Sequence, residues 1–183
     1  MALRNILTGE DDFLHRRCRE ITEFGERTVV LAGDLTDTLR EVNGLGLAAP
    51  QVGVLRRVVV VACDEQLQDI IELINPEIID KQGEVGLDEA CLSCPGMIGY
   101  VLRPEKVTVR AYDRFGTGFE REFEGLFARA VCHEIDHLEG ILFTDIAERV
   151  YDDADEYRAA MDAAKQAEDR PEGKIDEESE RQD

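Results

Sequence analysis

The sequence predicts an α+β fold, with antiparallel or mixed strands packed around one central helix and further helices toward both ends of the chain. Three observations carry this reading. Apolar residues recur at helical spacing in two long segments, 26–42 and 126–139. Between them lie several short β-branched or alternating runs bounded by turn residues. The connections between these runs are short, which favours antiparallel pairing. The chain has 183 residues, a length suited to one domain with its own core. We divide it into a single domain over 1–165 and an acidic tail over 166–183, expected to be disordered.

Residues 11–19 read as a short helix or turn, with His15 and Cys18 as surface or packing residues. From 26 to 42, Val30 or Leu31, Leu35, Leu39 and Val42 make one apolar face. Asn43-Gly44 ends that helix, because both residues tolerate the left-handed conformation. The next stretch, 44–53, is small, apolar and glycine-rich with one amide side chain, Gln51. No Lys-Ser/Thr follows its glycines, so it is not a phosphate loop. It reads either as a helix-to-strand turn or as a flat backbone edge that a ligand chain can approach closely. Residues 58–62 form a buried strand. Further strands are predicted at 73–79, 85–90, 100–102, 106–112 and 118–123, punctuated at Asn75-Pro76, Lys81 to Gly83, Cys94-Pro95-Gly96 and Asp113 to Gly116. The central helix spans 126–139 and stops at Gly140, and a weakly packed helix covers about 154–167.

Charge narrows the function classes. The net charge is −20 and the pI about 4.5, so the surface repels nucleic acid and anionic membranes. No apolar run is long enough to cross a bilayer, and the first residues lack the features of a signal peptide. We therefore expect a cytoplasmic protein. Its five cysteines, an odd number, point to free or metal-bound thiols rather than a disulfide framework.

The central helix carries His133-Glu134-Ile135-Asp136-His137. Histidines at i and i+4 share a helix face and can bind one metal ion, with Glu134 in reach of a water on it. The plain alternative is coincidence on a charged amphipathic helix. A third ligand is sought upstream, at Cys91 and Cys94. A redox pair is disfavoured, because Pro95-Gly96 leads into a strand rather than a helix. A closed site of Cys91, Cys94, His133 and His137 fits the pair spacings but gives Glu134 no task. One Cys with two His and an open position is the catalytic arrangement. A zinc endopeptidase would share the helix motif and need a downstream ligand such as Glu148. A metal-stabilised binding module without activity would have no use for Glu134 or Gln51.

Gly44-Leu-Gly-Leu-Ala-Ala-Pro-Gln51, Glu89-Ala-Cys-Leu-Ser93 and His133-Glu-Ile-Asp-His-Leu-Glu-Gly140 resemble the three signature motifs of peptide deformylases, in the same order and at similar separations. The opening Ile6 to Leu14 and the segment Arg103 to Val107 are also similar, so the resemblance covers about residues 1–150. It implies removal of the N-formyl group from the initiator Met of nascent chains. By the same resemblance Cys91, His133 and His137 are the metal ligands and Glu134 the general base. Gln51 and the backbone N–H of Leu92 are the oxyanion donors. Iron(II) is the favoured metal, with zinc, cobalt or nickel as alternatives. An extended peptide would pair with the edge at Gly44, Leu45 and Gly46 and with the backbone around Ala90. The Met side chain would lie among Leu45, Leu126, Ala130 and the aliphatic stem of Arg129. Arg129 is placed at the cleft because a buried, unpaired guanidinium is costly. Glu89, Asp136 and Arg103 read either as groups that orient the ligands or as an ordinary surface or structural ion pair. Some deformylases dock on the ribosome through a basic C-terminal extension; this tail is acidic, so that mode does not carry over. Three residues depart from the family pattern: Ala90 for Gly, Cys132 for Gln, and Cys94 for an apolar residue. Ala90 adds a methyl beside the substrate strand, and Cys94 predicts an oxidisable pair with Cys91 whose disulfide would expel the metal.

Overall fold

Helix α1 (Glu26–Val42) forms over the predicted segment, burying Leu31, Leu35 and Leu39 on one face. Asn43, at φ 54° and ψ 41°, ends it in the left-handed conformation, with its N–H on the carbonyls of Arg40 and Leu39. The structure is a computed structural model and describes residues 2–9, 12–64 and 66–168, with backbone only for 164–168.

After α1 the chain forms β1 (Gly46–Ala48), one turn of 3-10 helix (Ala49–Val52), β2 (Val58–Ala62) and β3 (Ile70–Gln82). Then come β4 (Val85–Cys91), β5 (Cys94–Arg103), β6 (Lys106–Tyr112) and β7 (Gly118–Glu124). Helix α2 (Gly125–Glu139), the short α3 (Phe143–Ile146), β8 (Arg149–Tyr151) and α4 (Ala154–Glu168) complete the order. The strands make two antiparallel sheets, β1-β2-β3-β6-β7 and β4-β5-β8.

Strand β2 explains the layering. Its side chains alternate with period two, so Val58 and Val60 face the α1 cluster, while Val59 and Val61 face α2. At β1 and β2 the larger sheet is thus sandwiched between the two helices and buried on both faces, whereas β6 and β7 alternate between buried and more exposed residues. Ala128, Val131, Ile135 and Leu138 of α2 recur at helical spacing and pack on Val59, Val61, Leu73, Val107 and Val109. Truncating Leu138, fully buried there, should cost about 2–5 kcal/mol. The opposite face of α2 is left for His133, Glu134 and His137.

Several boundaries differ from the sequence reading. Cys94-Pro95-Gly96 is not a turn: β5 begins at Cys94, and the hairpin apex is Leu92-Ser93, with Cys91 opposite Cys94. Gly96 absorbs the irregularity at φ 87°. Asn75-Pro76 does not break β3. It makes a register shift between Ile74 and Glu77, with Asn75 at φ 50° and its amide bonded to both backbone groups of Ile21. Of the two readings of 11–19, helix or turn, the structure has the turn, over 12–15. Helix α4 runs through 166–168, and the rest of the predicted tail, 169–183, lies outside the described residues.

Candidate metal centre

Two elements bring the polar residues together. Helix α2 presents His133 and His137 one turn apart, and the β4–β5 hairpin presents Cys91 just before its apex. One ligand atom from each of Cys91, His133 and His137 lies within 4.8 Å of the others, and all three residues are buried. The Cys91 Sγ and His137 Nε2 are 3.2 Å apart, facing each other across the centre. Cys94 stands outside this group, so the closed four-ligand arrangement is not formed.

The surroundings fit a divalent ion. Glu89 meets His133 Nδ1 at 3.1 Å through Oε2, which leaves Nε2 of that ring for a metal. Burial, then the charges of His133 and Arg103, hold His137 down at about 3, so it is a neutral imidazole ready to ligate. The Cys91 thiol, hydrogen-bonded to Cys94 and buried, is pushed above the ordinary thiol range while Cys94 falls to about 7. A cation held by Cys91 would reverse that order, because it would favour the thiolate. The Ser93 N–H already donates to Cys91 Sγ at 3.4 Å.

Glu134 is the group without a structural task. It is 4% exposed, and its Oε2 has no hydrogen-bond partner among the described residues. Burial pushes its carboxyl up to about 7, within range of a proton carrier at neutral pH. It packs directly on Gly46, where a Cβ would lie 2.5 Å from Oε1. The glycine is there because the strand and the carboxylate need the same space.

Gln51 reaches the centre from the 3-10 turn. Its Oε1 accepts the Ala48 N–H at 2.8 Å, which fixes the amide so that Nε2 donates to Ser93 Oγ (3.2 Å) and Cys91 Sγ (3.6 Å). Leu92 forms the hairpin apex beside it. A cleft of about 440 Å³ opens over these groups, lined by the edge strands β1 and β4 and the first turns of α2. Gly44, Leu45, Gly46, Ala90, Leu126, Arg129 and Ala130 all line it, as do Asp88 and Pro95, which sequence reasoning did not select. Leu126 is 46% exposed and so is not core packing.

Arg129 differs in one respect from the sequence reading: it is buried, and its guanidinium is paired. It donates to Glu89 at 2.6 Å and to the carbonyls of Val85, Leu87 and Val101 at 2.8–3.3 Å, binding α2 to both strands of the hairpin. Arg103 completes the network, with two bonds to Glu89 at 2.9 and 3.0 Å and a third to Asp136. Burial alone would raise Glu89, but the hydrogen bonds from His133 and Arg103 outweigh it and hold the carboxyl near 2. The contacts of Glu89, Asp136 and Arg103 are thereby separated: Glu89 meets His133, and Arg103 ties Glu89 to Asp136. Ser93 was missed because a lone serine after Leu92 carries no signal apart from its motif.

A family model described as polypeptide deformylase matches residues 3–152. The chain is 54% identical to the peptide deformylase of Caldicellulosiruptor bescii over 145 residues, which is 79% of this chain and 86% of that one. It superposes on the crystal structure of a Legionella pneumophila peptide deformylase with TM-score 0.78 and 38% identity, covering 93% and 100% of the two chains. A class I type b peptide deformylase from Acinetobacter baumannii, solved with Met-Ala-Ser bound, matches with TM-score 0.74 and 31% identity over 79% and 98%.

Proposed function

The chain belongs to the polypeptide deformylase family and removes the N-formyl group from the N-terminal methionine of nascent polypeptides; on that premise we propose that Cys91, His133 and His137 hold one divalent metal ion and that Glu134 is the general base. The observation that carries the assignment is the meeting of three ligand atoms beside an unpartnered carboxylate oxygen, inside a cleft walled by two open strand edges. The family is metal-dependent, and these donors suit iron(II), which we favour, or zinc, cobalt or nickel. When bound, the ion supplies an acidified water and polarises the formyl oxygen.

The protein's own groups do the rest. Glu134 takes a proton from the attacking water and later delivers it to the leaving amine, so formate and a free N-terminus are released. The Leu92 N–H and the Gln51 amide are donors for the charge that develops on the formyl oxygen, and losing one such donor typically costs ~10²–10³ in rate. An extended peptide pairs with the segment Gly44 to Gly46, which leads into β1, and with β4 near Ala90, which binds main chain without reading sequence. Leu45, Leu126, Ala130 and the Arg129 stem form the pocket for the Met side chain. The Acinetobacter relative was solved with Met-Ala-Ser bound, which supports a methionyl peptide as the class of ligand.

We place the enzyme in the cytoplasm, close to the ribosome where its substrates emerge. The charge of −20 argues against direct binding to nucleic acid or membrane, and against docking by a basic tail. None of the described helices is long and apolar enough to cross a membrane. The test is formate release from formyl-Met-Ala by protein purified without oxygen and loaded with iron(II), beside Glu134→Ala. Release by the parent and none by the variant establishes the base. Undiminished release by a fully metal-loaded variant removes Glu134 from the mechanism.

A further inference from the structure

The two oxyanion donors proposed above sit on different sheets. Gln51 lies in the turn that follows β1, and Leu92 lies at the apex of the β4–β5 hairpin. Their spacing must nevertheless be held to a fraction of an ångström, since a 1 Å misplacement can cost about 10²-fold. One short segment reaches both. The Leu7 N–H donates to the Gln51 carbonyl at 2.7 Å, and the Gly9 N–H donates to the Ser93 carbonyl at 3.0 Å. Residues two apart in an extended segment present their amides to the same side, roughly 6–7 Å apart. The neighbouring side chains diverge: Ile6 packs on the α1 cluster that includes Leu92, and Leu7 packs on the cluster containing Cys91 and Cys94.

The segment is anchored further back. Asp34 of α1 is 2% exposed, an unfavourable place for a carboxylate unless it is fully bonded. Its partners come from the strap. The Ala2 N–H donates to Oδ1 at 2.8 Å, and Arg4 Nε and Nη2 donate to Oδ2 at 2.9 and 2.7 Å. One turn on, Thr38 Oγ1 accepts the Arg4 N–H at 3.0 Å and itself donates to the Asp34 carbonyl at 2.7 Å. Only the carboxylate end of this pair is buried, the Arg4 side chain being 38% exposed, so the exposed cation adds little to stability by itself and its geometric effect is to hold the strap in one register on α1. Here the register it fixes is that of residues 7 and 9 against the two loops.

We propose that residues 2–9 are a positioning strap for the oxyanion site: the Leu7 and Gly9 amides staple the Gln51 turn to the Leu92-Ser93 apex, and the Arg4–Asp34 pair sets the strap's register. Arg4 and Asp34 are positioning residues, remote from the reacting atoms. The proposal rests on the deformylase reading given above.

The test uses the full-length, metal-loaded protein with Arg4→Ala, Arg4→Lys, and the pair Leu7→Ala and Leu7→Pro, of which only the proline removes the amide proton. Activity on formyl-Met-Ala is measured well below the melting temperature of each variant, together with metal content. Arg4→Ala and Leu7→Pro should lose about tenfold in kcat, short of the ~10²–10³ for outright loss of a donor, with KM within about twofold and metal retained. Arg4→Lys and Leu7→Ala should recover most of the rate. Independently of activity, hydrogen exchange in Arg4→Ala should quicken at 49–53 and 91–95 and stay unchanged in β6. A lowered melting temperature with kcat and exchange at those loops unchanged would show that the strap only stabilises the fold. Loss of metal as the sole defect would also overturn the proposal. A parent that releases no formate refutes the deformylase reading instead, and the exchange measurement still decides the staple.

Discussion

Adding one methyl at Gly46 tests how tightly Glu134 is held. In Gly46→Ala the new Cβ would lie 2.5 Å from Glu134 Oε1, 2.6 Å from Cγ and 2.8 Å from Cδ. Ordinary contact begins near 3.4 Å, so the carboxylate must retreat by about 0.9 Å. β1 cannot retreat in its place, because Gly46, Leu47 and Ala48 are paired with Val61, Val60 and Val59 of a fully buried strand. Glu134, the side chain that lines the cleft, is therefore the group that shifts. A displacement near 1 Å at a reacting group costs about 10²-fold, equivalent to about 2.7 kcal/mol on the barrier. Overpacking adds about 1–3 kcal/mol against folding. The assay is kcat and KM for formyl-Met-Ala on metal-loaded protein, in a cycle with Glu134→Asp, which withdraws the carboxylate by one methylene. Gly46→Ala should reduce kcat by about two orders of magnitude with metal retained, and its penalty should be smaller when combined with Glu134→Asp. A Gly46→Ala enzyme within about twofold of the parent would refute the claim that this contact positions the base.

Two further outcomes follow from neighbouring groups. Glu89→Gln removes the charge that Arg103 and Arg129 share and turns one of its two acceptor oxygens into a donor, so that either His133 or the guanidinium groups lose a partner. Metal retention, measured against a competing chelator, should weaken by about 10–100-fold. The same variant should change the acid limb of stability: the parent's Glu89 is held near 2 against 4.5 for the free group, so its contribution is complete above about 4.5 and disappears as pH falls toward 2. Acid unfolding of Glu89→Gln followed by circular dichroism should lack that component. Peroxide should oxidise Cys91 and Cys94 to one disulfide, consuming one peroxide and giving two waters. Mass spectrometry should then show loss of two hydrogens, a chromophoric chelator should detect the freed metal, and a dithiol should restore both thiols. Cys94→Ser should retain its metal longer, and equal rates of release would dismiss the pair.

The sequence and the structure agree most closely where local chemistry decides the outcome. Helix α1 was legible to the residue because Leu31, Leu35 and Leu39 recur at one spacing and Asn43 can turn left-handed. The convergence of Cys91 with the two histidines was legible from motifs, each short but jointly specific. The β5 boundary was not, because Pro95-Gly96 carries the signature of a turn, while the actual apex, Leu92-Ser93, carries none. α3 and β8 span four and three residues, too few for any period to register. The carboxylate network could not be apportioned because Glu89, Arg103 and Asp136 lie far apart in sequence and meet only in the fold. The strap was the least legible of all, since its contacts with the site are main-chain amides that any residue but proline could supply.

The brevity of β1 bears on turnover. Under the proposed docking mode, a three-residue edge would limit a peptide to a few main-chain hydrogen bonds on that side, whatever its length beyond the cleft. Each such bond contributes only about 0.5–1.5 kcal/mol after exchange with water. Residence time is governed mainly by the dissociation rate, so a short ledge keeps deformylated chains from lingering. An enzyme that must visit nearly every new polypeptide gains more from quick departure than from a firm grip. Lengthening β1 would strengthen product inhibition before it improved capture.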